Sequence, residues 1–366
     1  CALPISNGGA SLSAPASVGA RMMVPADGDR TVLDQQLAAL AAQREKAQAL
    51  LSGLANSRQS DVRLSMKVAS RLYALNDSVT WNQSLNNDPV TPITTTLRGQ
   101  ASLSNGQKVN IWVENSEWNK GGTYQITQSL VDLLSEKFAS ASGSGIFGML
   151  TSLAGSQPWG AHQYSNLIGA NQDIQIVVSN FDHNNKAGGV IGYFDATNNY
   201  LKTAYSSSNE ALMFFLDSES LAWPDYRPVS VSTLAHEFTH MISFYQYTIL
   251  KSAPTMFDTW YDELLAMMAE DIVDGNLGSF NNLRDASFAP WVNSSAYNCS
   301  LTDYVPDGSC FSYDIYAAYG GYLLRHYGLG LFKTLAQTSE SNSLTYKPVN
   351  MKPLTVESIP PKVRTF

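Results

Sequence analysis

Thr233-Leu234-Ala235-His236-Glu237-Phe238-Thr239-His240-Met241 is the stretch on which the reading of this 366-residue chain turns. It reads H-E-x-x-H inside a run, Val229 to Ala253, that contains no Gly or Pro. Leu234, Phe238, Met241, Ile242, Tyr245 and Ile249 fall at the spacing of one apolar helix face. Residues four apart on a helix are neighbours, with Cβ atoms roughly 5–6 Å apart. His236 and His240 can therefore aim two imidazole nitrogens at one point. Zinc takes nitrogen ligands at about 2.0–2.1 Å in a tetrahedral shell, and catalytic zinc sites keep one position for water. Glu237, one residue on, stands beside such an ion, where a carboxylate can take a proton from the bound water. The ordinary alternative is a chance match on a buried helix. Against it, the chain has only five His, and two are here at ligand spacing with Glu between them.

Working outward, composition sets the frame. At 44% apolar and 11% aromatic, the chain can bury a sizeable core, and its length suits two lobes. A net charge of −8 argues against a nucleic-acid partner. No apolar run is long enough to span a membrane. Cys299 and Cys310 flank a short loop-like segment, which predicts a disulfide and an oxidising, extracytoplasmic compartment. Cys1 is then left over at the head of a stretch of small residues, Ser, Gly and Pro that reads as a tether. A bacterial lipoprotein has this arrangement, so Cys1 is a candidate lipidation site. The expected place is the bacterial cell surface or outer membrane, or outside the cell, with the membrane touched only through that anchor.

Six segments are expected: a flexible tether over 1–30, an amphipathic helix over 31–60, a small β subdomain over 61–120, an α+β lobe with the metal helix over 121–256, a helical lobe over 257–338, and a tail over 339–366. In the first helix Leu33, Leu37, Leu40, Arg44, Ala47, Leu51 and Leu54 form a heptad seam with one charged member. Three repeats with a charge favour packing on the helix's own body over self-association. Val62–Val68 and Lys108–Val113 alternate as strands, with Pro89 and Pro92 breaking the middle. Thr123 is placed as the cap of a helix bearing Ile126, Leu130, Leu133, Leu134 and Phe138. Ile174–Val178, Val190–Phe194 and Leu212–Leu216 read as strands, and Asp182–Asn185 as a hairpin turn. Asp258 caps a helix over Thr259–Val273 that stops at Gly275, and Tyr313–Tyr327 is another, stopped at Gly328.

Two His leave zinc short of a protein ligand. No third His follows at the spacing of a longer motif, and His162, His183 and His326 are isolated. Acidic candidates lie on the next helix, where Glu263 and Glu270 are seven apart and share a face. Glu263 is in the first turn, which favours an anion; Glu270 is at the other end, which does not. A specific partner would justify Glu270 there, such as the outer N–H of a ligand histidine.

With His236-Glu237-Phe238-Thr239-His240-Met241, the segment Thr259-Trp260-Tyr261-Asp262-Glu263-Leu264-Leu265-Ala266 and the pair Glu270-Asp271, the chain resembles the hyicolysin family of bacterial zinc metallopeptidases. These are gluzincins with a two-lobed, thermolysin-like catalytic domain. The family's second motif is typically W-x-x-E-G, so the resemblance makes Glu263 the third zinc ligand; Leu264 stands where Gly is usual. Ile174–Val178 and Gly192-Tyr193-Phe194 fit the same pattern, which covers about residues 105 to 335. The resemblance implies an α+β gluzincin domain, Zn²⁺, and protein or peptide substrates. It also implies an oxyanion donor near a helix start, which points to Tyr313 with Tyr316 in reserve. Read without the chemistry, the same scaffold is a surface-anchored zinc-holding adhesion or binding protein. Glu237 favours the enzyme, since a binding scaffold has no use for a base.

Overall fold

The computed structural model describes residues 19–23, 30–58, 71–85, 90–140, 144–155, 157–277, 283–305 and 310–338. Cys1, the Val62–Val68 strand and the 339–366 tail lie outside the described residues. A seven-stranded mixed sheet organises the rest: β1 (Gly19–Met23), β2 (Ser78–Gln83), β3 (Thr91–Ser102), β4 (Lys108–Glu114), β5 (Ile174–Ser179), β6 (Gly189–Phe194) and β7 (Leu212–Asp217). The spatial order is β1-β6-β7-β5-β4-β3-β2, parallel at the centre across β4, β5 and β7 and antiparallel on both flanks. Every residue of β5, β6 and β7 is buried. Strands covered on both faces have no polar face to show, hence their unbroken apolar runs.

The described helices are α1 (Arg30–Leu54), α2 (Gln128–Ala139), α3 (Ile146–Leu153), α4 (Ser218–Ala222), α5 (Arg227–Ser243), α6 (Thr259–Leu277), α7 (Leu283–Asn293), α8 (Ser312–Tyr327) and α9 (Leu329–Ala336). α5 packs on β6, β7 and β1, α6 packs on α5, and α8 packs on α6, giving an α+β fold in which α5 lies between sheet and helical layer. The close approach of β6 to α5 depends on Gly192, where a Cβ would fall 2.6 Å from Thr233 Cγ2 and 3.0 Å from the Phe215 carbonyl oxygen. α1 turns Leu33, Leu40, Ala47, Leu51 and Leu54 into the main core, so its seam packs on its own body.

Several expectations are corrected. Gly19–Met23, placed in the tether, is a strand on the outer side of β6 and lies against α5 and α6. The strands assigned to a separate β subdomain, β2 to β4, belong to the one sheet. Pro92 does not break it. Its missing N–H falls at the start of β3, before the stretch of that strand that pairs with β4. The helix expected from Thr123 starts at Gln128, after Thr127; Ile126 instead pairs by backbone with Glu117 and Asn119. Asp182–Asn185 is not a hairpin turn, because β7 lies between β5 and β6. α6 runs through Gly275 to Leu277. Cys299 and Cys310 form a disulfide with Cα atoms 5.6 Å apart.

Candidate metal centre

α5 begins with Pro228 in its first turn, where a missing N–H costs nothing. Every residue from Val229 to Ser243 is buried, so the helix has no polar face. Its hydroxyls manage this largely by bonding back along the helix: Thr233 donates to the Val229 carbonyl at 2.8 Å and Thr239 to the Ala235 carbonyl at 2.7 Å, while the single Ser232 hydrogen has both the Val229 carbonyl and Glu270 within reach. The helix continues as a π-helical turn over Phe244–Ile249.

One donor atom each from His236, His240 and Glu263 lie within 4.8 Å of one another, the one such group of three among the described residues. His236 Nε2 is 3.0 Å and His240 Nε2 3.7 Å from Glu263 Oε2. The outer nitrogens face other acids. His236 Nδ1 lies 2.8 Å from Glu270 Oε1, whose second oxygen accepts from Ser232 Oγ at 2.8 Å. His240 Nδ1 lies 3.0 Å from Asp262 Oδ2. A metal ion fits this set. His240 Nε2 is a buried nitrogen with no hydrogen-bond partner among the described residues, and it faces a carboxylate and a second imidazole. Glu237 is 0% exposed on the turn between the two His.

The electrostatics follow from burying so many acids together. Burial alone would lower both imidazoles, but the adjoining carboxylates outweigh it and raise them, foremost Glu263 and Glu270 for His236 and Asp262 and Glu263 for His240. Burial would raise Glu263, and the facing His240 and His236 hold it instead at about 2. Asp262 was not singled out from sequence, although its place beside Glu263 in the first turn of α6 was the available signal.

The helical side of the site comes from α8. Tyr313 is fully buried, its ring centroid 6.0 Å from that of His236, and its hydroxyl sits 3.2 Å from the hydroxyl of Tyr304. Tyr316 is fully buried, with the Ser312 side chain near its hydroxyl. His162 is a core histidine bonded to the Ile168 carbonyl, and His326 is exposed on the last turn of α8. Arg44 of α1 is buried, and burial lowers its guanidinium pKa to about 10 against the raising influence of Glu263, Asp262, Tyr304 and Tyr313. Sequence reasoning met Arg44 only as a charge in a leucine seam. A small pocket beside His240 and Asp262 is lined by Phe194, Phe244, Met256 and Phe257.

A family model described as Peptidase M30 matches residues 89–358, most of the chain, and includes α5, α6 and α8 but not β1 or α1. No curated protein matches the chain.

Proposed function

We propose that this chain, which belongs to the Peptidase M30 family and so is a hydrolase of peptide bonds, is a zinc-dependent endopeptidase with a gluzincin-type, hyicolysin-like site. The observation that carries the reading is the convergence of His236, His240 and Glu263 at a buried point with Glu237 between the two imidazoles. The donor set, two imidazoles and a carboxylate, suits Zn²⁺. Bound there, zinc would supply a Lewis acid and an acidified water.

The chain's own residues supply the rest. Glu270 and Asp262 orient the two imidazoles through their outer nitrogens. Glu237 takes the proton from the attacking water and hands it to the departing amine. The ligands and Glu237 are each no more than 1% exposed, so a peptide reaches them only after the elements over the site part.

Glu237→Gln tests the reading. The variant should keep stoichiometric zinc, since Glu237 is not a ligand. It should lose hydrolysis of a broad peptide library by roughly 100- to 10,000-fold. Unchanged hydrolysis would end the mechanism. A zinc-loaded wild-type chain that cleaves nothing would favour the binding-protein reading.

A further inference from the structure

The metal ligands and Glu237 are buried, so a hydrolase built on them needs an entrance. β6 marks where it lies, because that strand runs along the metal-bearing stretch of α5. Ile191 packs on Val229, near the start of the helix. A Cβ on Gly192 would fall 2.6 Å from Thr233 Cγ2, in the turn before His236. Phe194 lines the same small pocket as His240, and its ring centroid is 6.1 Å from that of Phe244. His236 and His240 are therefore flanked by the Gly192–Phe194 end of β6.

β7 pairs with one edge of β6, and β1 pairs with the other. β1 runs antiparallel, with Gly19 opposite Phe194, Ala20 opposite Tyr193 and Arg21 opposite Gly192. It lies alongside the part of β6 that borders the ligands, and it also touches α5 and α6, the two helices that carry them. It is outside the segment the family model matches. Its register shifts between Arg21 and Met22, which interrupts the ladder and weakens its hold on β6.

Without β1, the outer edge of β6 would present unpaired N–H and C=O groups beside the metal ligands. An extended peptide pairs with such an edge through its backbone, and so without demanding one sequence. We propose that β1 is the chain's own stand-in for substrate: it holds the edge of β6 that an extended substrate peptide takes, and the site works only when β1 gives way. The ligand that replaces it is a stretch of extended polypeptide running antiparallel to β6.

This rests on the peptidase reading, and the test separates the two. Full-length, zinc-loaded wild type is compared with the double variant Ala20→Pro, Arg21→Pro. Successive strand residues aim their N–H groups at opposite edges, so the two prolines remove whichever one faces β6. Losing that bond should free the edge of β6 roughly tenfold more often, and what binds there gains by the same factor. The variant should therefore show about a tenfold rise in kcat/KM for a peptide library. Its affinity for a phosphinic peptide, which is not cleaved, should rise alike, and the β6 amides should exchange hydrogen faster. A synthetic peptide of residues 17–25 should inhibit the variant in competition with substrate. A second measurement uses wild type alone, so it does not depend on how the variant folds. Saturating phosphinic peptide should speed amide exchange over Gly19–Met23, since two chains cannot hold one edge.

Unchanged or slower exchange over Gly19–Met23 with phosphinate bound would overturn the proposal. So would a zinc-loaded double variant whose kcat/KM and phosphinate affinity equal or fall below those of wild type, which would make β1 an ordinary structural strand. If neither chain cleaves any peptide, yet phosphinate binding releases β1, the peptidase reading falls and the shared edge stands.

Discussion

Replacing Glu270 tests how the metal-facing nitrogen of His236 is set. Glu270 is 0% exposed, with Oε1 2.8 Å from His236 Nδ1 and Oε2 2.8 Å from Ser232 Oγ. A proton on Nδ1, donated to that carboxylate, leaves the Nε2 lone pair for a metal ion, which would lie between it and Glu263 Oε2, 3.0 Å away. In Glu270→Gln the amide oxygen can still accept from Nδ1. The amide nitrogen then faces Ser232 Oγ, which can accept once its own hydrogen turns from the carboxylate to the Val229 carbonyl at 2.9 Å. Geometry survives and only the negative charge is lost. Partners of this kind are worth about 10–100-fold in metal affinity. Keeping the acceptor argues for the low end, about tenfold or 1.4 kcal/mol. Glu270→Ala removes the acceptor as well and strands the Nδ1–H in a buried site. That should bring the affinity loss to about 100-fold and cost about 1–3 kcal/mol of stability. Competition for zinc against a fluorescent chelator measures the first quantity, and melting with and without zinc the second. If both variants hold zinc as tightly as wild type, Glu270 does not orient His236 and the reasoning fails.

Other consequences can be checked independently. Burial first, and then Glu219, push Asp182 up to about 6 from 3.8. A carboxyl raised in the fold costs stability as pH climbs from about 4 through 6, so Asp182→Asn should raise Tm at pH 7.5 and leave it unchanged near pH 4. Partial exposure screens the gain to about 1 kcal/mol, and an equal gain at both pH values would contradict this sign. Gly192→Ala puts a methyl 2.6 Å from Thr233 Cγ2. It should cost about 1–3 kcal/mol in chemical unfolding and weaken zinc binding by shifting α5; a variant with wild-type stability would show that β6 and α5 have slack.

What the sequence revealed followed from how local each signal was. β5, β6 and β7 were legible because doubly covered strands are continuous apolar runs of the right length. Their order was not, since nothing in the runs says that β7 enters between β5 and β6. β3 was hidden by Pro92, which reads as a breaker until one knows which edge needs its N–H. α3 is eight residues, too short for a period to assert itself. The face drawn for α5 was too narrow: its Ser and Thr look polar in sequence but are satisfied within the helix and buried. The four-residue spacing of His236 and His240 is a local fact and needed no fold. Glu263 needed a resemblance, because which acid of α6 meets the histidines depends on how two helices cross.

Arg44 was the least legible residue of the site, and charge explains why it is there. Glu237, Asp262, Glu263 and Glu270 are each at most 5% exposed around the two imidazoles. A cluster of buried carboxylates is not held without positive charge, since like charges a few ångströms apart repel strongly at low dielectric. The histidines offset part of this, as their raised pKa values show. A divalent ion at their Nε2 atoms would offset more. Two of those acids, Glu263 and Asp262, also act on the buried guanidinium of Arg44. Placed on α6 or α5 an arginine would compete for the ligand face. Carried on α1 instead, Arg44 has its Nε and Nη2 buried with no hydrogen-bond partner among the described residues. A single charged position in a leucine seam, which reads as a flaw in a heptad, therefore brings a positive charge under the influence of two of the buried acids.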